Sequence, residues 1–242
     1  MKTYLITGAT SGIGKALVES FFDEEVRVIA LGRDEEKLNQ LKEKNLSKVE
    51  IIPIVVDLDN VLSIKGALSD FLSEKIDGFI HCAGFSLISN LRKVNYSQFL
   101  SLMNVNFFSF VEILKLLVAK KEKDRQFRVV AMSSISSISS GSSNCMYAAT
   151  KSALDCFVRT ISKELNSKNV EINTLQPALI DTPMIDSLKM SYGESFDDFL
   201  YRFQPLGLIP VEDVVEQIRF LLNKRSTKMS GTSILINGGK CL

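Results

Sequence analysis

Tyr147 and Lys151 stand four residues apart in the run Tyr147-Ala148-Ala149-Thr150-Lys151. On a helix that spacing puts a phenol and an amine on one face. A free tyrosine titrates near ~10, too high for ready proton exchange at neutral pH. A neighbouring ammonium favours the phenolate and lowers that value. A drop of ~2–3 pH units corresponds to roughly 3–4 kcal/mol of differential stabilisation, which one close cation in a poorly solvated site can supply. Tyr147 then becomes a general acid for a carbonyl oxygen, or a general base for an alcohol. Ser134, thirteen residues earlier at the end of an apolar run, can hydrogen-bond the same substrate oxygen. An ordinary surface helix carries such a Tyr-Lys pair too, so its surroundings decide the reading.

Those surroundings include a glycine turn. Thr7-Gly8-Ala9-Thr10-Ser11-Gly12-Ile13-Gly14 follows a first apolar run and opens a helical pattern. Gly8 permits a tight turn, Gly12 lets the backbone approach a pyrophosphate at the helix N-terminus, and Gly14 lets the helix pack close to the sheet. Its position between strand and helix separates it from a merely glycine-rich turn. The pattern is that of a dinucleotide site. After the second apolar run comes Gly32-Arg33-Asp34. An NAD site offers a carboxylate to the ribose hydroxyls here, which Gly32 cannot do. Arg33 can pair with a 2′-phosphate, while Asp34 pulls the other way; the reading leans to NADP over NAD. Asp57, at the end of the third run, either holds the adenine amino group or caps the following segment.

The elements that must position these residues are legible as alternating short apolar runs and longer helical patterns. The runs are Tyr4 to Ile6, Val26 to Leu31, Ile51 to Val56, Gly78 to Cys82, Val129 to Met132, Val170 to Leu175 and Ser233 to Ile236. They are β-branched and nearly continuous, as strands covered on both faces are. The order predicts an α/β fold, a doubly wound parallel sheet of about seven strands with helices on both faces. No linker divides the chain, so residues 1–242 read as one domain. The serine-rich stretch Ser133 to Ser143 follows the fifth strand, where such a sheet places its site loops. Phe99, Leu102, Met103, Phe110, Ile113, Leu114 and Leu117 form one helical apolar stripe, and Asn106 falls on it. A buried amide without partners costs roughly 1–3 kcal/mol, so Asn106 needs a specific partner, with bound water as one candidate. Residues 184–210 are the least regular region and are expected to insert as a substrate loop or lid before the last helix.

Composition narrows the function classes. Hydrophobic residues are 45% of the 242 and charged residues 24%, which excludes a disordered chain. The net charge of +1 gives no reason to expect a nucleic-acid or membrane partner. No uninterrupted apolar run reaches ~18 residues, so no membrane-crossing helix is expected. Cys82, Cys145, Cys156 and Cys241 are scattered and His81 is the single histidine, so no metal site is expected. Scattered cysteines fit a reducing compartment, and the expected location is cytoplasmic.

Thr7–Gly14 (TGATSGIG), Asn106, Ser134 and YAATK resemble the short-chain dehydrogenase/reductase family, in its compact form similar to 3-oxoacyl-acyl-carrier-protein reductases. The resemblance spans essentially the whole chain and includes PALIDTPM at Pro177 to Met184, PLG at Pro205 to Gly207 and INGG at Ile236 to Gly239. It implies a Rossmann-type fold, a homo-oligomer (dimer or tetramer), and hydride transfer between NAD(P) and a carbonyl or secondary alcohol. Tyr147 would be the acid/base, Ser134 its substrate-orienting partner, and Lys151 the group that lowers the tyrosine pKa and binds the nicotinamide ribose. Asn106 would hold a water relaying protons to Lys151. Thr182 would contact the cofactor's amide or phosphates, and the Ile180 backbone its carboxamide. The sequence departs from the family in three places. Asn-Asn-Ala-Gly is here His81-Cys82-Ala83-Gly84, which leaves backbone contacts from Ala83 and Gly84 but makes His81 a strand-stabilising core residue. Pro-Gly is here Pro177-Ala178, whose methyl crowds the nicotinamide. Ser11 stands where NADP enzymes often carry a basic residue.

Family members reduce acyl-carrier-linked 3-oxoacyl groups, sugars, steroids and small ketones. Arg125 and Lys168 fall where carrier-protein reductases place basic docking residues, and equally fit an ordinary solvated surface. The leading specific expectation is therefore 3-oxoacyl reduction, on a small-molecule or acyl-carrier-linked carbonyl substrate, with a catalytically silent dinucleotide sensor as the alternative. The apolar helices from Phe99 to Val118 and from Tyr147 to Leu165 are the expected oligomer faces.

Overall fold

A computed structural model describes residues 1–44, 48–122, 125–223 and 228–241. All seven expected strands form: β1 (Lys2–Thr7), β2 (Val26–Gly32), β3 (Glu50–Val55), β4 (Gly78–His81), β5 (Phe127–Met132), β6 (Val170–Pro177) and β7 (Ser233–Ile236). They make one parallel sheet in the order β3-β2-β1-β4-β5-β6-β7. The described helices are α1 (Gly12–Glu19), α2 (Glu35–Glu43), α3 (Ile64–Ala67), α4 (Tyr96–Met103), α5 (Ser109–Lys120), α6 (Cys145–Leu165), α7 (Asp186–Tyr192), α8 (Phe196–Phe203) and α9 (Val211–Leu222).

The strands are apolar at successive positions because both faces are covered. Tyr4 and Ile6 enter a core shared with α1, α2 and α9, whereas Leu5 enters a second core shared with α3, α5 and α6. Parallel pairing with helices on both sides brings every strand's carboxyl end to one edge. Strand order reverses between β1 and β4, so their two loops part there and leave a crevice.

Between α4 and α5 the helix is not the uninterrupted stripe the spacing predicts. Residues Asn104–Phe108 form a π turn, and the Ser109 N–H reaches back to the Asn104 carbonyl. The stripe itself packs as expected: Leu102, Phe110, Ile113, Leu114 and Leu117 are buried. Contrary to the expectation, Tyr96–Lys120 has the length and mean hydropathy of a membrane-crossing helix, and 44% of that segment's apolar window is buried inside the fold.

Residues 184–210 are more regular than expected. A short 3-10 turn at Pro183–Ile185 leads into α7 and then α8. Phe196, Phe199 and Phe203 recur at helical spacing, and Phe199 stacks on Tyr192 at 4.2 Å and on Phe203 at 5.2 Å. The aromatic residues that looked like loop content are what hold the two helices together.

Candidate active site

A cleft of about 670 Å³ opens along the carboxyl ends of the strands. The glycine turn (Gly8, Ser11, Gly12, Ile13), the loop after β4 (Ala83, Gly84) and the loop after β6 (Pro177, Ile180, Thr182) all line it. So do Ser134, Tyr147 and Lys151. Residues from four loops thus converge as the sequence predicts. Thr10, Gly14, Arg33, Asp57 and Asn106 stand outside its wall.

The glycine turn is built by close approach. A Cβ on Gly8, whose φ is +68°, would lie 2.8 Å from the Ala83 nitrogen. One on Gly14 would lie 2.3 Å from the Gly8 carbonyl oxygen. So Gly14 lets α1 pack on the turn itself. Thr182 completes the cradle, its methyl 3.6 Å from the Cβ position of Gly12. Ser11 precedes α1 without a side-chain capping bond, and the first turn of α1 carries no acid. The helix's leading N–H groups are therefore left for an anion, so the chain's residues fit a dinucleotide pyrophosphate. The bridge between Ile180 and Ile209 engages the Leu179 carbonyl and the Asp181 N–H, so the Ile180 N–H points away from Ile209.

At the ribose end, a Cβ on Gly32 would sit 2.7 Å from the Thr10 methyl, so Thr10 closes this position to any side chain. Asp34 is spent locally. It caps α2 by accepting from the Lys37 N–H at 3.0 Å and faces the Lys37 ammonium at 3.2 Å. The same N–H holds its carboxyl below the usual range. Arg33 is exposed and has no acidic partner among the described residues. The exposed Asp57 carboxylate accepts from the Asp59 N–H at 3.1 Å, the turn-capping use expected as its alternative.

Tyr147 and Lys151 share a face of α6, 9% and 3% exposed. The electrostatics correct one expectation. Burial pushes the Tyr147 phenol up to about 12, and the neighbouring Ser134 side chain works the other way. The expected lowering by Lys151 is not present in this structure. Its ammonium lies 5.6 Å from the centre of the Tyr147 ring and donates to the Met132 carbonyl at 2.7 Å. Burial in turn pushes Lys151 down to about 8, opposed by Asp155. Ser134 accepts from the Ser136 N–H at 3.1 Å, which holds its hydroxyl in place.

Asn106 is fully buried, and its side-chain amide has protein partners. Its amide nitrogen donates to the Phe85 carbonyl and to Thr150 Oγ1, both at 3.0 Å, and its oxygen accepts from the Phe85 N–H at 3.0 Å. His81 is a core residue as expected. Its Nδ1 meets Thr7 Oγ1 at 2.9 Å, and burial drives it down to about 3, so it stays neutral. The Cys82 thiol is pushed up to about 12 by burial, which leaves it unreactive.

The two basic docking candidates lie elsewhere. Arg125 and Lys168 each precede the amino end of a strand, β5 and β6, at the opposite end of the sheet from this cleft. Arg125 pairs with Asp77 at 2.8 Å and Lys168 with Glu164 at 3.8 Å.

Three residues were not singled out in sequence. Thr150 links Asn106 to the Tyr147 carbonyl. Gln204 is fully buried and clamps the loop after β6. Lys240 lines the cleft from beyond β7. The buried Thr between Tyr147 and Lys151 was visible in the motif; Gln204 and Lys240 reach Leu179 and Ser139, which are distant in sequence.

The short chain dehydrogenase family model matches residues 2–192. The chain is similar to 3-oxoacyl-[acyl-carrier-protein] reductase FabG of Thermotoga maritima, 31% identical over 242 residues and covering 98% of this chain and 97% of that protein. It is 29% identical over 243 residues to L-xylulose reductase of Caenorhabditis elegans, covering 98% and 95%. A short-chain type dehydrogenase/reductase from Mycobacterium ulcerans superposes with a TM-score of 0.87 at 26% identity, covering 98% of this chain and 89% of that one. The chain belongs to the short-chain dehydrogenase family. It is an oxidoreductase that interconverts C=O and CH–OH groups with a nicotinamide dinucleotide.

Proposed function

We propose that this protein is an NADP-preferring carbonyl reductase in which Tyr147 is the proton donor, with 3-oxoacyl thioesters as its leading substrate class. The observation that carries the reading is that Ser134, Tyr147 and the buried Lys151 line the same cleft as the glycine turn. A bound nicotinamide supplies the hydride to the carbonyl carbon. Ser134 donates a hydrogen bond to the carbonyl oxygen, and Tyr147 passes its proton to that oxygen as the C–O bond becomes an alcohol. The Lys151 ammonium stabilises the phenolate left behind, in a site where poor solvation strengthens every charge interaction. The reverse direction runs through the same groups, with Tyr147 as base.

The glycine turn, the Ala83–Gly84 loop, Pro177, Ile180 and Thr182 would hold the dinucleotide, and Asp57 would reach its adenine. Arg33 supports NADP, since Asp34 is occupied and Gly32 admits no carboxylate. The substrate class is carried over from the Thermotoga relative. Arg125 and Lys168 add no support for carrier docking at this chain's own cleft. α7 and α8 form the cover over the substrate end. We also assign a homo-oligomer, supported by the exposed Leu100 and Phe108 on one expected face, and a reducing, cytoplasmic setting, supported by four free cysteines.

Tyr147→Phe tests the assignment. Cofactor titration by fluorescence should be unchanged, while ketone reduction falls by roughly 10²–10⁴-fold. Absence of wild-type turnover across a panel of ketones and secondary alcohols returns the protein to the sensor reading.

A further inference from the structure

We infer that Lys240 is an anion-recognition group at the substrate end of the cleft, so that the carbonyl compound reduced here carries an anionic group on an apolar stem. This rests on the reductase reading above and narrows its substrate. Among the described residues lining the cleft, the only cations are Lys151 and Lys240, and no Asp, Glu or Arg joins them. Lys151 is committed beneath Tyr147. That leaves Lys240 as a cation with no carboxylate opposite it.

Its placement is specific. The Lys240 ammonium lies 4.1 Å from the centre of the Phe203 ring and donates to the Ser139 carbonyl at 3.4 Å, near the outer limit of a hydrogen bond. An ammonium has three donors, and neither contact neutralises it. Its backbone is braced: the Lys240 N–H donates to the Asn237 carbonyl at 3.0 Å, and its carbonyl accepts from the Asn237 amide at 2.8 Å. Partial burial holds its pKa below the ordinary lysine range. An anion arriving beside it restores the lost stabilisation.

The wall leading to it is apolar. Tyr192, Phe199 and Phe203 form a continuous row of stacked rings that lines the cleft, and Phe203 is the ring under the ammonium. A ligand lying along this row meets the edges of three stacked rings and then a positive charge. The neighbours of Lys240 are Ser139 and α8, not the glycine turn, so the anion it faces is the substrate's rather than the dinucleotide's. The competing account is that Lys240 merely covers Phe203, a cation–π contact worth about 0.5–1 kcal/mol at an exposed site.

Two matched substrate pairs separate these accounts and distinguish a carboxylate from a phosphate. One is 4-oxo-4-phenylbutanoate against its methyl ester. The other is acetoacetyl-4′-phosphopantetheine against acetoacetylpantetheine. With the preferred dinucleotide, the wild type should favour the charged member of at least one pair by about tenfold in kcat/KM, the effect of one charge-assisted contact. Lys240→Met should bring that ratio to near one, and Lys240→Arg should keep it. A ratio near one for both pairs in the wild type, with turnover present, overturns the role of Lys240 and leaves the reductase reading standing. Calorimetric titration with 4-phenylbutanoate and 4-phenylbutanamide, neither of which can be reduced, gives a readout independent of chemistry. If no pair is turned over and the wider panel of ketones and secondary alcohols is inert too, the reductase reading fails. Stronger binding of the carboxylate by wild type, lost in Lys240→Met, then still supports the anion site, and equal binding of the two ligands overturns it.

Discussion

Asn106 donates its amide to Thr150 at 3.0 Å, and Thr150 donates onward to the Tyr147 carbonyl at 2.8 Å. The π turn at Asn104–Phe108 is thereby tied to α6 between Tyr147 and Lys151. The same amide holds both polar groups of the Phe85 backbone. Phe85 follows Gly84, where a Cβ would lie 3.3 Å from the Lys151 ammonium. Asn106 is therefore a positioning residue. It fixes α6 and the loop after β4 relative to each other, and so sets the gap into which a substrate carbonyl must fit.

Thr150→Val tests this link with little change of shape. It leaves the Asn106 amide one partner short in a fully buried place, a cost of about 1–3 kcal/mol. For a chain of this size that lowers Tm by roughly 2–4 °C per kcal/mol. Turnover should fall further than cofactor affinity, because Tyr147 moves while the glycine turn does not. Thermal melting together with a kcat-against-KM comparison checks both expectations; a variant with normal kcat and an unchanged Tm denies Asn106 its positioning role.

Lys151 gives the pH dependence. Burial keeps Tyr147 protonated until about 12, so in the free enzyme the group that titrates first is Lys151, at about 8. Reduction uses the protonated ammonium, so kcat/KM should be level below about pH 8 and fall above it. Stability runs the other way. The folded value lies below the unfolded 10.5, so the native state binds fewer protons in this window, and stability rises as pH climbs from about 8 to 10.5. Relative to Lys151→Met, the wild type should gain on the order of 3 kcal/mol across that range. Denaturant melts of the two proteins at a series of pH values measure it.

The proposed preference for NADP rests on Arg33. An arginine–phosphate pair is charge-assisted, and Arg33 has no acidic partner among the described residues to compete for it. Arg33→Ala should cut the preference for NADPH over NADH by about tenfold or more, mostly through weaker NADPH binding. Fluorescence titration with both dinucleotides reads this directly. If wild type binds NADH at least as tightly as NADPH, the NADP assignment is wrong.

The strands were legible because a parallel sheet covered on both faces needs nearly continuous apolar runs, and Val26 to Leu31 or Val129 to Met132 have no other economical use. The convergence of Ser134, Tyr147 and Lys151 with the glycine turn was legible because parallel topology delivers all strand ends to one edge. The partners of Asn106 were not. An apolar stripe at helical spacing reports which residues face inward, but says nothing of the π turn that re-aims one of them. Nor was the environment of Tyr147 legible: a four-residue spacing places two side chains on one face without revealing that the Met132 carbonyl takes the ammonium. Phe196, Phe199 and Phe203 carried the signal for α8, and only the expectation of a loop obscured it.

Gln204 closes the substrate end and supplies the last expectation. It ends α8 as a fully buried amide, accepting from the Leu179 N–H at 2.8 Å and donating to the Leu179 carbonyl at 2.9 Å and the Gly207 carbonyl at 2.6 Å. The loop after β6, which lines the cofactor side, is thus tied to the helical cover on the substrate side. Gln204→Leu fills nearly the same volume and keeps no hydrogen bond. The Leu179 carbonyl still accepts from Ile209 at 3.0 Å, but the Leu179 N–H and the Gly207 carbonyl lose the amide that served them. Each orphaned group costs about 1–3 kcal/mol, so Tm should drop by several degrees. Because α7 and α8 then lose this tie to the loop after β6 and keep the aromatic row and the Lys189–Asp181 pair, KM for the carbonyl substrate should rise more than the dissociation constant for the dinucleotide. Equal losses on both sides would mean that Gln204 braces the sheet edge and not the cover.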